Sequence, residues 1–328
     1  MTRENPAHQP LNNSTDSPKV SVIMNCFNSD EYLREAIDCV YAQTFGDWEI
    51  VFWDNASTDA SSDIAKSYDK KLKYFCGEET VPLGRARNMA IERARGKYIA
   101  FLDCDDIWLP EKLARQVSVL EENEDISFVF TNTIRFDAKG DVASLNRGYN
   151  SSNGRIFGDL LKGNFITIAS VMVRKDALES LSEVFDERFN MSEDWDLWLR
   201  LSYSHKVAYI GEALTKWRIN PESWTHTKFV LFSGETENII KKLENNYPSV
   251  REEYSDGISK MKDASVFYKG IGMWVENKKG EARKTLKPYI TKNKKFFIGY
   301  LMTFLPSNLM ITFEKIYFKL DLGRFISH

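Results

Sequence analysis

Apolar residues recur along the chain in two alternating rhythms. From Lys19, the run Val20-Ser21-Val22-Ile23-Met24 stops at the polar Asn25 and Asn28, which predicts a strand ending in a loop. Ser29 or Asp30 then offers an N-cap. Leu33, Ala36, Ile37, Val40 and Tyr41 follow at helical spacing to about Gln43, which predicts an amphipathic helix. Further strands are expected at 49–53, 72–76, 98–102 and 127–131, and helices near 59–68, 83–95 and 110–122. Repeated β-α units imply an α/β fold with a mostly parallel central sheet and helices on both faces. Residues 137–154, rich in Gly, Asn and Ser, read as a loop, and irregular segments lead from there to a helical stretch at 193–204. A strand pair, 206–210 and 213–218, is expected to close the domain. The organisation predicted is a disordered polar leader over 1–18, one domain over 19–228 and a C-terminal helical region over 229–328. No internal repeat is visible, so solenoids and propellers are set aside.

Charge changes this picture at the C-terminus. The formal net charge is only −3, yet residues 269–328 hold 12 Lys/Arg against 4 Asp/Glu, so the tail is +8 and the body −11. An acidic body with no basic face argues against nucleic acid as a partner. Cys26, Cys39, Cys76 and Cys104 form no C-x-x-C pair, and each lies in a stretch that reads as buried, which predicts a reduced, cytoplasmic protein. The leader lacks the apolar segment of a secretory signal.

In sheets of this kind ligands bind beyond the carboxyl ends of the strands. Three such ends carry acids or amides: Asn25 to Asn28, Asp54 to Asp59, and Asp103-Cys104-Asp105-Asp106. Three carboxylates on one tight turn repel one another, and hard divalent ions prefer such oxygen ligands; the alternative is a solvated acidic turn capping the next helix. Asp54 suits a nucleobase N–H, whereas Asp59 reads better as a helix cap. Gly84-Arg85-Ala86-Arg87-Asn88 opens a helix where backbone N–H groups and a guanidinium favour an anion. Glu193-Asp194-Trp195-Asp196 places acids in a first helical turn. The helix dipole favours them there in any case, and a carboxylate wedged beside tryptophans also has the setting of a general base.

The ordered set resembles family 2 glycosyltransferases of the GT-A fold, a Rossmann-like α/β sheet, over about 200 residues. It comprises Val20-Ser21-Val22-Ile23 with Asn28, Gln43-Thr44, Trp48-Glu49-Ile50, Asp54-Asn55-Ala56-Ser57-Thr58-Asp59, Ala86-Arg87-Asn88, Gly96 through Asp106, and Glu193 through Arg200. The resemblance implies an inverting, divalent-metal-dependent transfer from a nucleotide-sugar donor, UDP by default, to a hydroxyl of a glycan or polyprenyl-linked acceptor in surface polysaccharide assembly. By position, Asp54 would read the base, Arg87 and Asn28 would lie near the nucleotide, Asp103 would touch the ribose or the metal, and Asp105 would ligate Mn²⁺ or Mg²⁺. Asp194 would be the general base and Glu193 would shape the acceptor pocket. Lys216-Trp217-Arg218-Ile219-Asn220 resembles a donor-covering loop, which puts Arg218 at the donor. Asn220 stands where His is common, and His226 is either a substitute metal ligand or a plain surface histidine. A sugar nucleotidyltransferase would show a Gly-rich basic loop after the first strand, which Asn25 to Asn28 lacks. A catalytically silent membrane-associated scaffold is the remaining alternative.

Residues 278–295 carry eight Lys/Arg against one Glu, and residues 296–313 are then uncharged and mostly apolar. Pro306-Ser307-Asn308 interrupts that run, which predicts an interfacial or re-entrant hairpin rather than a clean span. The expected location is the inner face of the cytoplasmic membrane, with membrane contact through 278–320. Packing against the domain, or against a second copy in a homodimer, is the alternative.

Overall fold

In the computed structural model, the described residues are 17–146, 149, 154–220 and 228–309. The expected leader lies outside them except for Ser17 and Pro18, and so do His226 and the tail beyond 309.

Four strands, β1 (Val20–Cys26), β2 (Trp48–Asp54), β3 (Leu72–Cys76) and β4 (Tyr98–Phe101), alternate with α1 (Asp30–Tyr41), α2 (Ser61–Lys66) and α3 (Leu83–Ile91). Then come β5 (Ile107–Trp108), α4 (Lys112–Glu122), β6 (Ile126–Asp137) and β7 (Gly140–Ser144). Short α5 (Phe157–Leu160), β8 (Val171–Arg174), short α6 (Lys175–Glu179), α7 (Glu193–Ser204) and β9 (Lys206–Arg218) follow. The C-terminal region supplies α8 (Phe229–Asn246), α9 (Val250–Glu253), α10 (Ser255–Val275), α11 (Lys279–Leu286) and α12 (Lys294–Met302).

The strands form one sheet in the order β3-β2-β1-β4-β8-β6-β9-β5, with β7 on β6. β3, β2, β1 and β4 are parallel. Beyond β4 the directions mix: β8 runs antiparallel to β4 and β6, β9 parallel to β6, and β5 antiparallel to β9.

Period-two alternation sorts the apolar side chains into two cores. Val20, Val22, Met24, Ile50 and Phe52 pack with Leu33, Ile37 and Val40 of α1 and Leu113, Val117 and Leu120 of α4. Ile23, Val51, Trp53, Ile99 and Phe101 belong to the other core, with Ala86 and Ala90 of α3, Trp195 and Trp198 of α7 and residues of α8, α10 and α12. The expected C-terminal helical extension is thus continuous with the core on one face of the sheet.

Several elements differ from the sequence expectation. The strand expected at 127–131 runs on to Asp137 and turns back through β7, inside the segment read as a loop. β7 is an edge strand with exposed polar residues, so it carries no apolar signal, and Gly140 takes the positive φ (118°) that its turn needs. The pair expected at 206–210 and 213–218 is a single strand. Ile210 pairs with Thr131 and Ala213 with Asn132, so Gly211 and Glu212 form a bulge within β9. β8, a three-residue apolar run before Arg174, sits in a stretch read as irregular. Cys76, expected buried, is exposed; Cys26, Cys39 and Cys104 are buried and all four are unpaired.

One polar latch sets the register of β1 against the turn into β4. Ser21 Oγ donates to Glu49 Oε1 (2.8 Å) and accepts from the Gly96 N–H (2.8 Å), while Arg95 Nε and Nη2 donate to Glu49 Oε2 (3.1 and 2.6 Å). A Cβ on Gly96 would stand 2.5 Å from the Ser21 nitrogen, so no side chain fits. Gly96→Ala is therefore expected to lower stability by about 1–3 kcal/mol in a denaturant titration. An unchanged midpoint would show that the latch is slack.

Candidate functional site

The carboxyl ends of β1 and β2 are knitted together by their own polar groups. Asp54, buried at the last position of β2, accepts from the Ser57 N–H (2.8 Å) and the Tyr74 hydroxyl (2.6 Å). Asn28, in the left-handed region with φ 48°, accepts from the Thr58 N–H (2.8 Å), and its own N–H donates to Ser57 Oγ (3.0 Å). Asp59, one residue before the Ala60 N-cap of α2, accepts from the Ser61 and Asp30 N–H groups, both 3.0 Å, and so ties the starts of α2 and α1 together. Asn25 Nδ2 is buried there and finds no partner among the described residues.

The acidic turn follows β4 directly. Asp106 is buried and accepts from the Arg218 N–H (3.0 Å); Arg218 Nε donates to the Asp105 carbonyl (2.8 Å) and Nη2 to Glu35 (2.6 Å). The Arg218 guanidinium also lies over the rings of Tyr32 (4.1 Å) and Phe136 (4.4 Å). β9 thereby clamps the turn. Burial and the neighbouring Asp103 push the Asp105 carboxyl up to about 6. Burial, Asp105 and Asp103 push Asp106 well above the ordinary range.

Arg87, on α3, connects this turn to α7. Its Nη2 donates to Asp103 Oδ1 (3.0 Å) and its Nη1 pairs with Glu193 Oε1. Burial opposes the guanidinium charge, but Asp103, Glu193 and Asp194 outweigh it and raise the Arg87 pKa. Asp194, one residue on, accepts from its neighbour's Trp195 N–H (2.6 Å) and lies 3.4 Å from Asn164 Nδ2 through both oxygens. Burial first, then the charge of Glu193, pushes Asp194 up to about 8. Glu193 Oε2 is buried with no partner among the described residues. Arg87, Asp103, Asp106, Glu193 and Asp194 share the wall of a cleft of about 200 Å³, with Leu83, Thr167, Ile168, Asn190, Met191 and Trp217 completing it.

Four of the residues singled out in the sequence, Arg87, Asp103, Glu193 and Asp194, therefore meet in one cleft. Asn28 and Asp54 stand at the ends of β1 and β2, and Asp105 and Arg218 at the acidic turn, outside the cleft wall itself. Two supporting residues on α8 carry no sequence signal of their own. Glu235 accepts from the Asn190 N–H (2.8 Å) and the Met191 N–H (2.9 Å), fixing the cleft wall just before α7. Lys242 Nζ reaches Asp186 (2.9 Å) and the fully buried Asp196 (3.0 Å), which also pairs with Arg200. The only sequence signal here is the Asp196 to Arg200 spacing of four on one helix.

Among the described residues, no three His, Cys, Asp or Glu side chains gather as a metal-binding group. The donor chemistry nevertheless fits a hard divalent ion that completes its shell with phosphate oxygens. Asp103 and Asp105 offer carboxylates on one turn, two hard oxygen donors of the kind such an ion takes.

The profile of the family described as Glycosyl transferase family 2 matches residues 21–181. A putative teichuronic acid biosynthesis glycosyltransferase, TuaG of Bacillus subtilis, is 30% identical over 65% of this chain and 83% of its own length. Several Rickettsia relatives are far longer, and the chain spans about a third of them. Among solved structures, S. aureus TarS 1–349 with UDP-GlcNAc superposes with a TM-score of 0.54 at 17% identity, covering 90% of this chain and 92% of that one. The mannosyltransferase PcManGT of Pyrobaculum calidifontis, with GDP-Man and Mn²⁺, gives 0.63 at 14% identity, covering 92% and 85%. The fold is that of the GT-A glycosyltransferases.

The raised Asp194 pKa carries a stability consequence. A carboxyl whose folded pKa lies above its unfolded value stabilises the protein at low pH, and that contribution is lost as pH rises from about 4 through 8. Asp194→Asn removes the ionisation, so its melting temperature is expected to gain on wild type progressively across this window. A difference that stays flat from pH 4 to 9 would contradict the burial of that charge.

Proposed function

We infer the reaction from a fixed premise: the chain belongs to glycosyl transferase family 2 and is a glycosyltransferase acting on a nucleotide-sugar donor. The reaction we propose is transfer of a sugar from a UDP-sugar to a hydroxyl of a lipid-linked glycan, with inversion at the anomeric carbon. The observation that carries this reading is the placement of Asp194, buried and raised to about 8, on the same cleft wall as Asp103 and Arg87. A hydroxyl attacking a sugar carbon must lose its proton as it bonds, and a carboxylate with a pKa near the working pH is an effective acceptor for it. In one displacement the acceptor oxygen bonds to the anomeric carbon, the bond to the diphosphate oxygen breaks with its electron pair, and the proton passes to the Asp194 carboxylate. Attack opposite the leaving group inverts the centre.

Arg87 holds Asp103 and Glu193 in place, so the donor side and the base share one rigid anchor. Asp54 and Asn28 shape the loops for the nucleoside, and Arg218 holds the acidic turn for the diphosphate. Asp105, with Asp103, would hold Mn²⁺ or Mg²⁺, which offsets the charge gathering on a departing diphosphate. The choice of UDP follows the TarS complex, and the metal follows the PcManGT complex. The setting in surface polysaccharide assembly follows the relative TuaG. A lipid-linked acceptor places the work at the inner face of the cytoplasmic membrane.

Asp194→Asn is expected to lower kcat/KM for sugar transfer by about 10²- to 10⁴-fold while UDP binding persists. In wild type, kcat/KM should rise with pH and level off above about 8, because only ionised Asp194 accepts the proton. Asp105→Asn should lose the Mn²⁺-dependent part of UDP binding in a calorimetric titration. Full turnover by Asp194→Asn would remove Asp194 from the base role.

A further inference from the structure

The uncharged run that starts at Phe296 begins on α12, and the structure divides its described part into two faces. Phe296, Gly299 and Met302 turn inward, with the Phe296 ring 5.7 Å from that of Phe267 on α10. Phe297, Leu301, Phe304 and Leu305 recur at helical spacing and remain 49%, 48%, 57% and 38% exposed. Five of the eight large apolar side chains exposed among the described residues lie between 297 and 309. So dense a patch marks an interaction surface.

Positive charge borders this stripe. Lys294 is exposed one turn before Phe297 on the same face. The Arg283 guanidinium lies 4.8 Å over the Phe304 ring, and its Nη1 donates to the Thr303 carbonyl (3.2 Å). Residues 278–309 hold eight Lys/Arg and a single acid, Glu281.

We propose that this face docks on an anionic lipid bilayer. α12 lies along the interface, with Phe297, Leu301, Phe304 and Leu305 at the acyl boundary and Lys294 and Arg283 against headgroup phosphates. An apolar helix face flanked by cations binds such a surface by buried area and charge together. A span is not the geometry here: among the described residues no helix is long and apolar enough to cross a membrane, and one face of α12, with Phe296, Gly299 and Met302, is already buried. The inference rests on the reading of the acceptor as lipid-linked for its purpose, but its test uses no sugar transfer, so the two fail separately.

The test is sedimentation of the full chain with vesicles of phosphatidylcholine alone and of phosphatidylcholine mixed with phosphatidylglycerol. Wild type is expected to pellet with the mixed vesicles and stay free of the neutral ones. Phe297→Ser combined with Leu301→Ser should weaken that binding about tenfold or more, and Lys294→Gln about fivefold. UDP binding should be unchanged in both variants, showing that they fold. Equal retention on both vesicle types, wild-type binding by the double variant, or no vesicle binding at all would each overturn the proposal. A dimer that the double variant abolishes, without vesicle binding, would assign the face to a second copy.

Discussion

A guanidinium buried beneath the carboxyl ends of the sheet holds three acids that have little reason to approach one another. Arg87 pairs directly with Asp103 and Glu193, and its field reaches Asp194. Breaking such a buried pair by removing one partner costs about 3–5 kcal/mol, because it strands an uncompensated charge. The arrangement is therefore rigid. It ties the turn after β4 to the first turn of α7, the two places to which the proposed reaction assigns the donor diphosphate and the base. Arg218 and Glu235 serve the same end from opposite sides, one clamping the acidic turn from β9 and the other holding the chain before α7 from α8.

The charges of this cluster separate the roles of its acids. Asp103 is partly exposed and bonded to a cation, Glu193 is buried and ion-paired, and Asp194 is buried without a direct cation partner. Burial raises Glu193 too, against the pull of Arg87, and it raises Asp194 up to about 8, a value that suits the proton-accepting role proposed for it. The C-terminal helices share in this. They complete the core beneath α7 and end in a face with exposed apolar residues, so the elements that hold Asp194 also carry the surface proposed to meet lipid.

Much of this was legible in the chain itself, for identifiable reasons. β1, β2 and β4 are buried on both faces and so read as continuous apolar runs, and the acids that matter follow them at once. β8 escaped because three apolar residues make too short a pattern, and β7 because an exposed edge strand has no apolar side to show. The meeting of Asp103 with Asp194 came from family resemblance; no spacing argument links residues 91 positions apart. Glu235 and Lys242 left no trace because what they bind is backbone N–H groups and acids more than 40 positions away.

Burial and the charge of Glu193 raise the proton affinity of Asp194, and the Arg87 guanidinium holds it below the value they alone would impose. The most direct test of this balance follows the isotope-labelled aspartate carboxyls by NMR through a pH titration of wild type and Arg87→Gln. The account predicts that Asp194 titrates near 8 in wild type and higher in the variant, since the positive charge that holds it down is gone. An Asp194 that titrates in the ordinary carboxylate range, or one indifferent to the loss of Arg87, would contradict it.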